Sequence, residues 1–354
     1  MRPSDTRAGE ALDLDALDDY LRGTRAGAEL GEVRALRQFR GGYSNLTYLL
    51  TCARGEAVLR RPPFGPRRGS AHDVAREHGV LEGLGEVFGV GTVAPAPLSL
   101  CTDEAVLGAP FYLMRYVEGD ILRAGVAEGL TPTRRARAAG RLVDTLARLH
   151  GADLGATSLA TLGRPVGYVG RQVEGWARRY AAARTDDVPD ATPLVEALRA
   201  DAPPDAPGAL LHNDFKFDNV VFAPGSDYGA VAAVLDWEMA TVGDPLLDLG
   251  LALAYWTHPE EVAEMPFLGV NGTHLPGCPR REEVVLRYAA ARGIDPPDVR
   301  WAFAFGNFKI AGILQQLYAR YRAGHTADAR FAPLGAVVTW LLRRGERAIR
   351  GGGR

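Results

Sequence analysis

The sequence predicts an α+β fold in two unequal lobes, a small β-rich lobe followed by a larger, mainly helical one. Three observations lead there. Short alternating apolar runs, broken by Gly, Pro and Asn, fill the first third of the chain, with one helical stripe among them. From about residue 131 onward apolar residues recur at helical spacing, interrupted by one compact β-rich segment at 209–236. The length of 354 residues, at about 150 residues per domain, gives two units. Strands grouped first and helices grouped later favour α+β over an alternating, doubly wound sheet.

The elements follow in order. Residues 34–39 read as a first strand, and the alternating run 43–51, after Gly41-Gly42, as a second. A turn at 53–55 leads to a third strand, 57–61. After the Pro/Gly/Arg loop 62–69, Ser70 reads as the N-cap of a helix reaching about Gly85, with Val74, His78, Leu81 and Leu84 on one stripe. Two further strands are expected at 105–107 and 111–117. Glu118-Gly119-Asp120 breaks the pattern and is the expected boundary, giving lobes of 1–117 and 118–354. Thr131-Pro132 caps and starts a helix to His150, with Leu142, Leu146 and Leu149 on one stripe. Residues 185–208, rich in Pro, Asp and Ala, read as a loop or short-helix excursion. Asp244-Pro245 starts another helix, and three more are expected near 281–292, 298–323 and 333–349.

Composition narrows the function. Hydrophobic residues make up 47% and charged residues 24%, which argues against global disorder. No apolar run approaches the roughly 18 residues that span a bilayer, and residues 1–10 have no apolar stretch after their charges, so neither membrane nor secretion is expected. A net charge of −2 gives no whole-chain reason to expect nucleic acid. Cys52, Cys101 and Cys278 lack metal-ligand spacing and read as free thiols of a cytoplasmic protein. Of 41 basic residues only Lys216 and Lys309 are lysine. Where Arg replaces Lys almost everywhere, a remaining Lys is a candidate for a role that needs a compact point charge.

Residues 211–238 carry the chemistry. Two apolar strands, 220–223 and 230–235, flank a turn made of Pro224-Gly225-Ser226-Asp227. Antiparallel pairing returns the chain to its start, so Asn219 and Asp236 are expected side by side, with Asp214 on the entering loop within reach of both. Hard oxygen ligands of this kind suit Mg²⁺, which keeps waters and binds substrate phosphates. Lys216 adds a cation to the same region. The layout is that of a phosphoryl-transfer site. His212-x-Asp214-x-x-x-x-Asn219 with Asp236-Trp237-Glu238 resembles the aminoglycoside phosphotransferase superfamily, which shares the protein-kinase-like fold. The resemblance implies that Asp214 is the catalytic base and that Asn219 and Asp236 are Mg²⁺ ligands. It implies that His212 scaffolds the loop rather than carrying a proton; Lys216 would neutralise developing charge. Asp244 reads as a helix N-cap and Asp248 as a partner of loop backbone.

The same resemblance assigns ATP to the first lobe. Arg40-Gly41-Gly42-Tyr43-Ser44-Asn45 sits where a phosphate-covering turn belongs, and Gly41, Gly42, Ser44 and Asn45 are the candidate contacts; a plain hairpin turn is the alternative. Strand 57–61 falls where kinases place a phosphate-binding Lys, and Arg60 stands there instead. Glu77, on the following helix, would be its ion-pair partner, or else an ordinary solvated residue. Segment 111–117 resembles the hinge, whose backbone near Arg115, Tyr116 and Val117 would meet adenine.

Leu162-Gly163-Arg164-Pro165, Gly167-Tyr168, Arg171-Gln172, Trp176, Asp248-Leu249-Gly250, Ala254-Tyr255-Trp256, Phe308-Lys309 and Arg320 look like one branch of the superfamily. That branch contains the kinase-like domain fused to acyl-CoA dehydrogenases, and it implies hydroxylated fatty acids or their CoA esters as acceptors. These residues also fit shared packing, Trp176, Trp256 and Trp301 above all. Arg60, Arg61, Arg67 and Arg68, with Arg171, Arg178 and Arg179, read as basic rims that favour an anionic acceptor. The expected activity is an ATP- and Mg²⁺-dependent transfer of phosphoryl to the hydroxyl of a small molecule. An aminoglycoside or amino-sugar acceptor, or a nucleotide-binding pseudokinase, are the alternatives. ATP versus GTP, the role of Lys309 and the oligomeric state, a homodimer included, stay open.

Overall fold

The computed structural model describes residues 3–7, 9–39, 45–64, 73–326 and 328–351. The expectations for Arg40, Gly41, Gly42, Tyr43 and Ser44, and for Arg67, Arg68 and Ser70, lie outside the described residues.

The first part of the chain runs α1 (Leu14–Arg22), α2 (Arg25–Leu30), β1 (Val33–Gln38), β2 (Leu46–Cys52), β3 (Gly55–Arg61), α3 (Val74–Phe88), β4 (Pro97–Cys101), α4 (Glu104–Leu107) and β5 (Phe111–Arg115). Its strands form an antiparallel sheet in the order β1-β2-β3-β5-β4. Alternation sends successive side chains to opposite faces. Tyr48, Leu50, Ala57, Leu59, Phe111 and Leu113 pack with Leu17, Leu21 and Leu30 of α1 and α2. Leu49, Val58, Tyr112 and Met114 join the cluster that holds Val74, Leu81 and Leu84 of α3. Both faces are covered, which is why these strands read as near-continuous apolar runs.

Three expectations need correction here. Residues 105–107 form a helix, not a strand, because Asp103 accepts the Ala105 N–H at 2.9 Å and caps α4. The strand comes from Pro97–Cys101 instead, where Pro97 takes the first position of an edge strand. Helix α3 is capped by Asp73, whose side chain accepts from the Arg76 N–H at 2.9 Å. The expected stripe is its buried face, and Glu77 lies on that face too, 2% exposed. Helices α1 and α2 were not expected; Asp13 and Thr24 cap them.

The chain leaves the sheet at Gly119, with φ 154°, where a Cβ would stand 2.2 Å from the Phe222 carbonyl. Only Gly permits that approach. Then follow β6 (Asp120–Ile121), α5 (Ala124–Glu128), α6 (Pro132–His150), α7 (Tyr168–Ala183), α8 (Thr192–Ala200), β7 (Ala209–Leu211), β8 (Val220–Phe222), β9 (Val231–Val234), β10 (Thr241–Gly243) and α9 (Pro245–Tyr255). Helices α10 (Pro259–Glu264), α11 (Arg281–Arg292), α12 (Arg300–Arg322) and α13 (Leu334–Ile349) close the chain. Strands β8 and β9 form the expected hairpin, flanked by β6, while β7 pairs with β10. Residues 212–219 and 235–240 are thus the two links between these small sheets. Helix α12 crosses α9 closely: a Cβ on Gly250 would meet the Ala302 carbonyl at 2.3 Å. That packing accounts for the glycine of Asp248-Leu249-Gly250. Among the described residues no helix is long and apolar enough to cross a membrane.

Candidate functional site

The loop entering the hairpin is built on a buried carboxylate. Asp248, on the first turn of α9, accepts the N–H groups of His212 and Asn213 at 2.7 and 2.8 Å and faces His150 Nε2 at 3.2 Å. Burial alone would push its carboxyl up; the bond and charge of His150 and the loop amides outweigh it and hold it below the usual range. Its contribution to stability is therefore present above the ordinary carboxylate pKa of about 3.9 and lost as pH falls through the lower folded value. Asp248→Asn turns an amide against these donors and is expected to cost about 3 kcal/mol, and to flatten the acid limb of a denaturation series. An unchanged unfolding midpoint would contradict this.

His212 is fully buried between Trp237 and Phe215, its ring centroid 4.8 Å from that of Trp237. Its Nδ1 accepts the Asp214 N–H at 3.2 Å, which leaves Nε2–H to donate to the Leu235 carbonyl at 2.8 Å. Nδ1 thus braces its own loop, and Nε2 joins that loop to the link 235–240. The next residue but one, Asp214, collects three donors. Lys216 Nζ and Asn219 Nδ2 (2.9 Å) donate to Oδ2, and the Tyr255 hydroxyl donates to Oδ1 at 2.8 Å. Asn219 also donates to the Asp214 carbonyl at 2.9 Å.

Asp214 therefore stands between two spaces. On one side a large cleft is lined by Asn219, Asp236, Arg60 and Glu77, and by Tyr116 and Val117. On the other a small apolar slot is lined by Lys216 and Tyr255 together with Leu142, Leu146, Phe215 and Trp256. Lys216 is its one charged lining residue among those described. Tyr255, quoted only within the branch-resembling Ala254-Tyr255-Trp256 and given no role there, reaches Asp214 from the end of α9.

Across the cleft, Asp236 follows β9 in a left-handed conformation, φ 66°. A non-Gly residue held there costs about 1–3 kcal/mol and marks a constrained position. Its Oδ1 accepts from Arg60 at 2.9 Å. Burial raises the Asp236 carboxyl, but the Arg60 charge prevails and the net shift is downward. Arg60 also donates to Glu77 Oε1 at 2.8 Å and to Glu238 Oε2 at 3.5 Å. The expected Arg60–Glu77 pair is thus present, and its reach to Asp236 binds β3, α3 and the Asp236-Trp237-Glu238 turn together. Asn45 joins them through Glu238 at 3.4 Å. Arg76 adds a bond to the Glu238 carbonyl at 3.0 Å. The expected basic rim is corrected on this point: Arg60 is turned inward among carboxylates, and Arg61 is 2% exposed with its guanidinium 3.8 Å from the Phe64 ring centroid. Arg171 donates to the Val166 and Arg164 carbonyls, while Arg178 and Arg179 are exposed.

The hinge segment divides. The Arg115 amide is committed to the Ala96 carbonyl at 2.8 Å and its side chain to Glu29, so Arg115 does not offer its N–H to the cleft. Tyr116 N–H meets the Glu56 carbonyl at 3.4 Å. Val117 lines the cleft, and its amide has no backbone partner among the described residues. For a divalent cation, Asp236 Oδ2 and Asn219 Oδ1 accept no hydrogen bond among the described residues, and both residues line the cleft. One carboxylate and one amide oxygen suit Mg²⁺ completed by water and phosphate; among the described residues there is no cluster of three His, Cys, Asp or Glu that makes a closed cage.

The branch-specific residues divide between packing and the loop. A Cβ on Gly163 would lie 2.5 Å from the Val242 carbonyl, and Trp176 and Trp256 are buried, so these pack. Trp301 stacks on Phe305. Asp244 caps α9 by accepting the Leu246 N–H at 2.8 Å. Lys309 lies within 3.2 Å of Asn213, behind Asp214.

Comparison with known proteins gives the family and the fold. Residues 35–301 match the model of the phosphotransferase enzyme family called APH. Acyl-CoA dehydrogenase family member 10 of Mus musculus is 37% identical over 322 residues, covering 90% of this chain; the chain spans only 29% of that protein's length. A crystal structure from Ralstonia eutropha JMP134, classed among aminoglycoside phosphotransferases, superposes with TM-score 0.79 at 26% identity, covering 97% of this chain and all of the other. An aminoglycoside phosphotransferase crystallised with AMP-PNP and hygromycin B shares the fold at TM-score 0.59 and 15% identity, over 96% of this chain and 99% of its own. The two-lobed, kinase-like architecture with its β-sheet first and helices after is common to them, and the chain belongs to the APH phosphotransferase enzyme family.

Proposed function

We propose that this chain transfers the γ-phosphoryl group of ATP, with Mg²⁺, to the hydroxyl of a small acceptor carrying an apolar portion. Residues 1–117 would hold the nucleotide, and residues 118–354 the catalytic loop and acceptor. One observation carries the reading: Asp214 is bonded at once to Asn219 in the cleft wall and to Lys216 and Tyr255 in the slot wall. A hydroxyl presented from the slot meets the Asp214 carboxylate, which takes its proton as the new O–P bond forms and the bond to the departing ADP breaks. Lys216 offsets the charge that develops there. Asn219 and Asp236 would hold Mg²⁺, which would supply charge neutralisation at the phosphates.

The apolar lining of the slot and its one positive charge favour a hydroxy acid or hydroxyacyl ester over a polycationic aminoglycoside. Relatives named as acyl-CoA dehydrogenases support an acyl-bearing acceptor. A second reading, nucleotide binding without turnover, draws on the Arg60–Asp236 bond, which engages one oxygen of a proposed metal ligand. ADP release from Mg-ATP is the deciding assay, run over hydroxyacyl-CoAs, free hydroxy acids, aminoglycosides and amino alcohols with Asp214→Asn as blank. Turnover on the acyl compounds supports the proposal, and turnover on aminoglycosides alone refutes the acceptor. ATP binding with silence throughout favours the pseudokinase. Asp236→Ala is expected to weaken Mg²⁺-dependent ATP binding at least about tenfold; unchanged affinity would exclude Asp236 as a metal ligand.

A further inference from the structure

We infer that Lys309 is a positioning residue for Asp214, acting through Asn213. Lys309 lies in the middle of α12 and is 2% exposed. Its ammonium donates to the Asn213 carbonyl at 3.2 Å and to Asn213 Oδ1 at 2.9 Å. Asn213 directly precedes Asp214 and is left-handed, φ 65°. That conformation turns the chain so that the neighbouring side chains, His212 and Asp214, serve different partners. Asn tolerates it better than most residues but still needs holding. Asn213 is in fact gripped from several elements. Asp248 of α9 takes its N–H at 2.8 Å, its Nδ2 donates to the Met239 carbonyl at 3.2 Å, and the Tyr168 hydroxyl of α7 is 3.4 Å away. Lys309 supplies the donors for both its oxygens, a task for one compact cation with several protons.

A purely structural origin fits poorly. Among the described residues no carboxylate bonds Lys309. Burial disfavours its ammonium and brings its pKa down to about 8. Asp248 and Asp214 draw it towards the charged form, while Arg179 of α7 and Lys216 oppose it; the Trp176 ring lies 5.8 Å away. A buried cation without a contacting anion opposes folding unless its bonds serve another end. The composition agrees: only Lys216 and Lys309 of 41 basic residues are lysine. One is bonded to Asp214 and the other to the residue before it.

The test is a double-mutant cycle of Lys309→Met with Asn213→Gly, since Gly takes a left-handed φ without support. The kinetic arm rests on the phosphotransferase reading and measures Mg-ATP hydrolysis, the transfer to water, without any acceptor. The second arm, amide exchange across 212–219, is independent of that reading. Lys309→Met is expected to lower kcat about tenfold or more with the KM for ATP within about twofold, and to speed exchange at 213–216. In the Asn213→Gly background the same substitution is expected to cost less than about threefold. Equal losses in both backgrounds, or unchanged exchange in Lys309→Met, would overturn the inference. Should Lys309→Met not fold, Lys309→Gln, which keeps one neutral donor, is read in its place: a smaller loss is expected, and an equal loss in the Asn213→Gly background overturns the inference. If the wild type hydrolyses no ATP, the kinetic arm is run with an acceptor that gives turnover in the ADP-release panel; if none does, the proposed function fails while the exchange arm still decides the role of Lys309.

Discussion

Asp214→Asn is expected to retain the fold and to lower phosphoryl transfer by about 10²–10⁴-fold, the usual range for a general base. The substitution preserves shape and removes only the charge and the ability to take a proton. Three donors now converge on the carboxylate, from Lys216, Asn219 and Tyr255. An amide matches them less well, but the Asp214 side chain is 19% exposed, so water reaches the mismatch. The stability cost should therefore stay near about 1 kcal/mol. ADP release at saturating Mg-ATP and acceptor, beside a thermal unfolding midpoint, separates the two effects. A rate within twofold of wild type would remove Asp214 from the chemistry.

Arg60→Met should be the most destabilising single change in the cleft, by about 3–5 kcal/mol, because it strands the buried Glu77 carboxylate and leaves the partly exposed Asp236 and Glu238 without their cation. Glu77 is 2% exposed, and Asp236 and Glu238 share the same guanidinium. Burial raises the Glu77 carboxyl, and Arg60 is the first influence opposing it. Asp236 is held below its usual range by the same charge, against its burial. Removing the cation lets both carboxyls rise. The sign follows: the variant's deficit is largest where these groups must be ionised, at neutral pH, and narrows as acid neutralises them. Urea denaturation at pH 7 and pH 5 tests this. Parallel losses at both values would show that packing, not charge, dominates. Arg60→Lys keeps a cation but not the fork, and is expected to retain only part of the link to Asp236. If it binds ATP as well as wild type, the three-way bridge is not needed for the nucleotide.

Local chemistry was readable wherever neighbouring residues settled the outcome. The hairpin at 220–234 follows from two short apolar runs and a Pro-Gly-Ser-Asp turn, and it alone brings Asn219 beside the start of the Asp236 turn. Thr131-Pro132 and Asp244-Pro245 mark helix starts through caps that need only the next few amides. Residues 97–101 escape a local reading because Pro95 and Pro97 disguise the strand, although its partner β5 is the next strand in sequence. Residues 105–107 were misread because three apolar-rich residues fit either period, and Asp103 decides for helix. Strands β7 and β10 are three residues each, too short to show alternation.

The α+β order, the hairpin, the loop that carries Asp214 and the nearness of Asn219 to Asp236 were legible in the sequence, since each depends on local patterning or on one hairpin. Only the folded chain shows that Arg60 reaches Asp236 and Glu238 beside the expected Glu77, and that His150 joins Asp248 behind the loop. It also shows that Tyr255 and Lys309 stand behind Asp214. These contacts join residues from 41 to 178 positions apart. Such pairings are selected by which faces of the sheet and helices the core buries together, and no local run of residues records that choice.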